Sequence, residues 1–177
     1  LQLLDGAARV NIALFRSEFD ELQVSTIDSA TTTFNVGNAA SAVSQGVEAD
    51  LNWAIGERAL LTAAFAWLDA EYDEFPDAPC NFARIAAGSC TGPNQTTSLA
   101  GEPLPFAPEV TATLAGEYAW PIGRELELVT WAQVTYSDGF YLILDLDPNA
   151  YQESFAKVDA RVTLRALSGA WEVSLIG

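Results

Sequence analysis

The feature that most constrains this fold is a strict two-residue alternation, clearest in residues 44–53, SQGVEADLNW. One set of alternate positions is apolar (Val47, Ala49, Leu51, Trp53) and the other is polar (Glu48, Asp50, Asn52). Successive side chains of a β-strand point to opposite faces, so this segment has one apolar and one polar face. In a soluble sheet the apolar face packs on a core, whereas in a transmembrane barrel it contacts lipid and the polar face lines the lumen.

The alternation recurs along the chain and predicts an all-β protein of about seven antiparallel up-and-down strands. The predicted strands are residues 7–27, 33–54, 58–72, 107–120, 125–143, 155–167 and 170–177. Two places break the pattern. Arg16 shares the parity of Leu14, so either the apolar band ends there or a bulge shifts the face. In residues 125–136 the two classes do not separate, because Trp131 shares a parity with Glu127.

The connections between these strands alternate in length. Residues 55–58, 121–124 and 167–170 are tight turns that contain glycine. The other connections are residues 28–33, about 73–106 and 137–154, of which two are long. Outer-membrane barrels have short periplasmic turns and longer extracellular loops. The pattern therefore favours a fragment of an antiparallel transmembrane β-barrel over a soluble sandwich.

Aromatic residues support the membrane interpretation. Trp53, Trp120 and Trp171 each lie beside a short turn, on the apolar parity of their strands. Trp67, together with Tyr72, Tyr136 and Tyr141, lies toward the long connections and would form a second band. Tryptophan and tyrosine collect at the two membrane interfaces of barrels. We therefore predict interfacial positions for Trp53, Trp67, Trp120 and Trp171, with the lipid bilayer as a partner.

Composition excludes several classes of function. The net charge is -16 and the chain has only eight Lys and Arg residues, which argues against nucleic-acid binding. Histidine is absent, so histidine-based catalytic triads and metal sites are excluded. We predict no enzymatic activity, no cofactor and no metal site. Methionine is also absent, which suggests an internal fragment of a longer protein.

Several stretches resemble the C-terminal barrel region of TonB-dependent outer-membrane receptors. They are residues 11–25, 34–53, 60–75, 101–120 and 155–177. The most specific are FNVGNAASAVSQGVE (34–48) and GEPLPFAP (101–108) in combination. The resemblance implies a Gram-negative outer-membrane location with the loops facing outside. It also implies active uptake of a large scarce nutrient, for which a ferric siderophore is the leading candidate. Alternatives are a passive porin and a soluble carbohydrate-binding β-sandwich.

The family's barrel has 22 strands, so this chain would supply about a third of it as one partial domain, residues 1–177. The resemblance implies three partners: a plug domain of the same receptor, the TonB complex acting through a missing N-terminal part, and a small-molecule ligand at the extracellular loops. The plug and the terminal strand are not recognisable in the sequence. The alternation predicts these lumen-facing side chains: Glu48, Asp50, Asn52, Thr111, Thr113, Glu117, Lys157, Asp159, Arg161 and Arg165.

The long connections contain the remaining candidates. Cys80 and Cys90 would form a disulfide at a cell surface, with two free thiols as the alternative. Asp145 and Asp147 could contact a ligand or a cation, although Asp before Pro is also an ordinary turn signal. Phe106, in a stiff proline-rich return segment, and Tyr141 are aromatic candidates for ligand contact. Phe106 could instead pack against a neighbouring loop.

Overall fold

The computed structural model describes the backbone of residues 2–28, 33–92 and 94–177, and the side chains of these residues except 25–28 and 33–39. The strands are β1 (Gln2–Leu3), β2 (Ala8–Asp28), β3 (Thr33–Ile55), β4 (Ala59–Glu74), β5 (Ala78–Pro79), β6 (Thr96–Thr97), β7 (Val110–Ile122), β8 (Leu126–Ser137), β9 (Phe140–Tyr141), β10 (Tyr151–Gln152), β11 (Phe155–Ala166) and β12 (Glu172–Ile176). The helical segments are α1 (Phe82–Ala86) and two 3₁₀ turns, Leu4–Gly6 and Pro148–Ala150.

One large sheet organises the molecule. It contains eight strands in the order β1-β2-β3-β4-β7-β8-β11-β12, and every neighbouring pair is antiparallel. Strands that follow one another in this sheet are also hydrogen-bonded neighbours, which is the predicted up-and-down arrangement. Two small sheets, β5 with β6 and β9 with β10, lie in the long connections. The prediction of an antiparallel all-β fold is confirmed.

The largest differences from the predicted strands occur in two places. The short strand β1 raises the count in the large sheet from seven to eight. The predicted strand 125–143 ends at Ser137, and Tyr141 pairs with Tyr151 in a separate sheet. Most of the predicted connection 28–33 lies outside the described residues. Within the described part of the chain, no helix is long and apolar enough to cross a membrane.

The register separates the two faces of the sheet across six strands. One row of directly paired residues is apolar throughout: Val10, Leu51, Ala63, Leu114, Val134 and Val158. The adjacent row carries Asn11, Asp50, Ala64, Thr113, Thr135 and Lys157. Side chains of directly paired residues lie on the same face, so the rows belong to opposite faces. We call these the apolar face and the polar face.

Large side chains on the apolar face are exposed. The exposed fraction is 79% for Leu14, 69% for Val158 and 53% for Leu114. Soluble monomers rarely expose a contiguous apolar patch of more than a few hundred Å². This face therefore requires an apolar environment that the described residues do not themselves supply.

The apolar band ends at Arg16. Arg16 is paired with Gln45, and Gln45 is paired with Asp69. They lie on the same face as Leu14 and Val47, which are nearer the short turn after β3. The Arg16 Nη1 donates to Gln45 Oε1 at 2.7 Å, and the Gln45 Nε2 donates to Asp69 Oδ2 at 2.9 Å. The register of β2 shifts only after Phe19. Of the two interpretations of Arg16, the end of the band is the one observed.

The hydrophobic core lies at one end of the sheet. Its buried members come from the ends of β2, β3 and β4 and from the two long connections: Val24, Ala40, Tyr72, Phe75, Ala78, Leu99 and Leu146. We call residues 75–92, 94–109 and 138–154 the loop layer. The long connections are thus a packed unit that closes over the ends of three strands.

Gly46 is a position where only glycine fits the sheet. It lies on the polar face opposite Phe15, and a Cβ there would collide with the carbonyl oxygen of Trp67 and lie 3.0 Å from the Phe15 ring. In contrast, a Cβ at Gly116 would meet no atom within 4 Å.

We therefore expect Gly46→Ala to lower the free energy of unfolding by about 1–3 kcal/mol, because backbone and ring must both move. Gly116→Ala, the matched control, should change it by no more than about 0.5 kcal/mol. Urea titration of the full-length protein in detergent micelles measures both values. Equal effects of the two substitutions would contradict this account of Gly46.

Candidate functional site: the polar face and the loop layer

The polar face contains all ten residues predicted to face a lumen. The register places Glu48, Asp50, Asn52, Thr111, Thr113, Glu117, Lys157, Asp159, Arg161 and Arg165 on one side of the sheet. A single row joins Asp50 through Ala64, Thr113 and Thr135 to Lys157. The structure therefore assembles these side chains into one continuous surface.

Side chains on neighbouring strands hold the arginines of this surface in place. Arg165 donates to Glu127 Oε2 through Nε at 2.9 Å and through Nη2 at 2.6 Å. The Arg161 Nη2 lies 3.6 Å from Glu117 Oε2, and its guanidinium carbon lies 5.7 Å from the centroid of the Trp131 ring. These pairs are partly exposed, so each contributes at most about 1 kcal/mol to stability. Their main effect is to orient the guanidinium groups along the wall.

On the acidic part of the polar face, an amide rather than an arginine binds a carboxylate. Asn11 Nδ2 donates to both carboxylate oxygens of Asp50, at 2.9 and 3.2 Å. A cavity of about 240 Å³ lies beside Glu48 and Asp50, and its floor includes Ala64 and Ala66. A second cavity of about 230 Å³ shares Asp50 and Ala64 with it. The two form a shallow groove with carboxylates on one side, suited to polar or cationic groups.

Sequence reasoning missed Trp131 as a member of the polar face. It is paired with Glu117 on β7 and with Arg161 on β11. The indole is apolar, so its shared parity with Glu127 was interpreted as a break in the alternation. It was not recognised as a position on the polar face. The strict parity with Glu127 and Gln133 was the signal that could have placed it correctly.

Cys80 and Cys90 form a disulfide within the loop layer. The segment they enclose contains α1, whose N-terminus is capped by Asn81: the Asn81 side chain accepts from the Arg84 backbone N–H at 2.8 Å. The Asn81 Nδ2 also donates to the backbone carbonyls of Asp145 and Leu146, at 2.9 and 3.1 Å. Asn81 is only 3% exposed. One buried amide therefore joins the two halves of the loop layer.

Phe106 lies where the proline-rich return segment meets the other half of the loop layer. Its backbone N–H donates to the Tyr141 carbonyl at 2.9 Å, and its ring lies 6.3 Å from the Phe140 ring. The side chain is 67% exposed, and the backbone φ is +59°. This conformation is uncommon for a bulky residue and is frequent at functional sites. Phe106 is thus both a loop contact and an available aromatic surface.

Tyr141 is less available to a ligand than Phe106. It packs against the core of the loop layer, and its ring lies 4.9 Å from the Tyr151 ring. Partial burial raises the pKa of the Tyr151 hydroxyl, and the negative charges of Asp138 and Glu153 raise it further.

Asp145 and Asp147 have the contacts of turn residues. The Asp145 carboxylate accepts from the Asp147 backbone N–H at 3.1 Å, and the Asp147 carboxylate accepts from the Asn149 backbone N–H at 2.8 Å. Such contacts define Asx turns. Among the described residues, no group of three or more His, Cys, Asp or Glu side chains could hold a metal ion. The turn interpretation of this segment is the one that the hydrogen bonds support.

The aromatic residues of the strands do not all lie where the sequence placed them. Trp53, Trp67 and Trp120 belong to the apolar face, and the alternation continues to Trp171 beside the third short turn. The prediction that Tyr72 belongs to the aromatic band near the long connections is wrong. Tyr72 lies on the opposite face of the sheet, is 1% exposed and packs against Phe75. The core of the loop layer offers more apolar burial to this ring than an interface does. The same prediction for Tyr141 is also wrong, because Tyr141 belongs to the loop layer.

Comparisons with known proteins identify the class. The sequence profile of the family described as TonB dependent receptor-like, beta-barrel matches residues 1–175. The chain therefore belongs to the TonB-dependent receptor β-barrel family. Members of this family are outer-membrane transport receptors rather than enzymes, and their barrel works with a plug domain and TonB.

Solved structures show the same fold. The ferric yersiniabactin uptake receptor FyuA from Yersinia pestis is 15% identical with a TM-score of 0.71, over 98% of this chain and 22% of that chain. The siderophore receptor PiuA from Acinetobacter baumannii is 24% identical with a TM-score of 0.65, over 99% and 22%. The ferric-catecholate import receptor Fiu from K12 E. coli is 17% identical with a TM-score of 0.58, over 93% and 20%.

The chain thus spans about a fifth of the length of these receptors. No curated protein sequence matches it. The family and the structural likeness together confirm the prediction of a barrel fragment from a TonB-dependent receptor.

Proposed function

We propose that residues 1–177 form one partial domain in the wall of an outer-membrane receptor that takes up a ferric siderophore by TonB-dependent active transport. The observation that carries the proposal is the two-faced sheet, capped at one end by a packed loop layer. The apolar face contacts lipid, and the polar face lines the lumen. The loop layer faces the cell exterior, where a ligand first arrives.

The polar face suits an occupied lumen better than an open pore. Arg161 and Arg165 are held by carboxylates of neighbouring strands, while the groove beside Glu48 and Asp50 is left open on the same wall. A plug domain of the same receptor would dock on this mixed surface through charged and polar contacts. A passive porin would need a clear water channel instead. Family membership also disfavours the soluble carbohydrate-binding sandwich.

The ligand would meet the exposed aromatic surface of the loop layer. Phe106 is the strongest candidate for direct contact, because it is exposed and sits at the junction of both halves of the layer. Tyr141, Asp145 and Asp147 would act by shaping the loop that presents this surface. Titrating the full-length receptor with a ferric siderophore should show weaker binding for Phe106→Ala than for wild type.

Transport itself is tested in cells. A strain that lacks the full-length receptor should lose uptake of one class of ⁵⁵Fe-loaded siderophore under iron limitation, with catecholate, hydroxamate and carboxylate chelators compared. Deletion of TonB should abolish the same uptake. Uptake that persists without TonB and rises linearly with concentration would indicate a porin. Loss of vitamin or glycan uptake instead would reject the iron chelate as substrate.

The assignment of faces makes a prediction of its own. Trp53, Trp120 and Trp171 should lie at one depth at the periplasmic interface, because an indole keeps its ring in lipid and its N–H near water. Receptors that each retain one of these tryptophans are reconstituted in vesicles. Lipids brominated near the headgroup should quench the tryptophan fluorescence most strongly, with similar depth profiles for the three receptors. Absence of quenching for all three would show that the apolar face does not contact lipid.

A further inference from the structure

The apolar face contains a groove that the transport proposal does not use. Gly116, Ala132 and Ala160 are directly paired on β7, β8 and β11, so three of the smallest side chains lie side by side. They form the floor of a cavity of about 470 Å³. Tyr118 and Val162, which line the same cavity, stand on its side nearer the short turns.

Larger side chains border the groove on both sides. Leu114, Val134 and Val158 form the next row toward the loop layer, and they are 53%, 45% and 69% exposed. The floor is therefore recessed between two ridges of the apolar face. Its volume lies within the roughly 300–1,000 Å³ of small-molecule sites.

The size and position of the groove favour a lipid chain over a second protein. Nine of its lining residues belong to the apolar face, whereas stable protein interfaces use roughly 20–30 residues on each side. It is also continuous with the face that, under the proposed function, contacts the bilayer everywhere else. A flexible acyl chain can enter a narrow recess that a flat strand face of another barrel cannot fill.

The end of the groove nearer the turns has the features of a headgroup level. The rings of Tyr118 and Trp120 lie 4.4 Å apart, and Trp120 Nε1 donates to Thr130 Oγ1 at 3.1 Å. Arg124 is exposed in the turn that joins β7 to β8, beside the acidic Glu125. Aromatic rings and a cationic side chain at this level match the polar and phosphate region of a phospholipid.

We propose that the groove over Gly116, Ala132 and Ala160 binds one acyl chain of a periplasmic-leaflet phospholipid, whose phosphate lies near Arg124. This inference rests on the proposed function, since it requires the apolar face to contact the membrane. The bound lipid would fill a recess in the wall between three neighbouring strands.

The first test uses the full-length wild-type receptor. It is reconstituted with a phosphatidylethanolamine that carries a photoreactive diazirine in mid-chain, irradiated, digested and analysed by mass spectrometry. Cross-links should be enriched at least several-fold on the peptides that contain Tyr118 and Val162, relative to those that contain Ile12 and Leu14 of the same face. Uniform labelling of the apolar face would overturn the proposal.

The second test fills the recess. Ala132→Leu and Ala160→Leu, made separately so that one poorly folding variant does not decide the result, should each abolish retention of one phospholipid in native mass spectrometry. Ala49→Leu, on the apolar face but away from the groove, is the control and should retain it. Arg124→Gln should weaken retention about fivefold, the effect of about 1 kcal/mol per basic residue at a membrane surface.

The outcomes separate this inference from the function on which it rests. Retention of the lipid in both filled variants overturns the groove as its site. A wild-type dimer that dissociates when the groove is filled also overturns it, in favour of a second copy of the receptor. If no lipid labels or quenches any part of the apolar face, the proposed function itself fails. Labelling of that face without enrichment at the groove rejects only the lipid site.

Discussion

Leu114→Arg is expected to lower the free energy of unfolding in a bilayer by about 2–4 kcal/mol, because under the proposed function the charge enters the face that contacts lipid, between the two tryptophan levels. Leu114 lies in the apolar row and is 53% exposed. Its neighbour Thr113 lies on the polar face, where it is paired with Thr135 and lines the same cavity as Asp50. Thr113→Arg is therefore the matched control, with the same new side chain one residue away on the opposite face.

The measurement is denaturant unfolding of the full-length receptor in lipid vesicles, followed by the gel mobility of the folded barrel. We expect wild type and Thr113→Arg to have similar free energies of unfolding, and Leu114→Arg to have a clearly lower one. A larger loss for Thr113→Arg would mean that the lumen and lipid faces are reversed. Equal losses would mean that neither face contacts lipid.

Phe75→Ala should destabilise the loop layer by about 3–5 kcal/mol, the usual effect of removing a fully buried aromatic ring. Phe75 is 0% exposed and packs against Tyr72, with ring centroids 5.2 Å apart. Its carbonyl also accepts a hydrogen bond from the Leu99 backbone N–H at 3.0 Å. The substitution would therefore loosen the contact between β4 and the long connection.

Phe82→Ala is the matched control, because the Phe82 ring is 82% exposed in the same half of the loop layer. It should change stability by no more than about 0.5 kcal/mol. Hydrogen exchange of the Leu99 and Gly101 amides, which donate to carbonyls of Phe75 and Tyr72, reports local opening. Equal acceleration by both substitutions would show that this core does not hold the layer together.

Contacts between the two halves of the loop layer couple the two long connections. Asn81 connects the disulfide-containing half to the 145–146 turn, and Phe106 connects to Tyr141 by a backbone hydrogen bond. The two long connections therefore move as one packed body or separate by breaking these contacts. Under the proposed function, a ligand bound at Phe106 would therefore affect both connections.

The sequence alone determined the separation of the two faces, the long strands and the family. The alternation in residues 44–53 could be interpreted without a structure, because the side-chain period of a strand is a local property of the backbone. The ten predicted lumen-facing residues share one face for this reason. Cys80 and Cys90, close in sequence within one connection, could be paired for a similarly local reason.

Only the tertiary structure decided what depends on register and on contacts between distant segments. The sequence shows that Trp131 shares a face with Glu127, but its contact with Arg161 depends on the pairing of β8 with β11. Tyr72 has the composition of an interface residue, yet it is buried by side chains from the loop layer. The groove over Gly116, Ala132 and Ala160 likewise exists because three separate strands align their smallest residues. Such coincidences are set by pairing through space, which no local period in the sequence encodes.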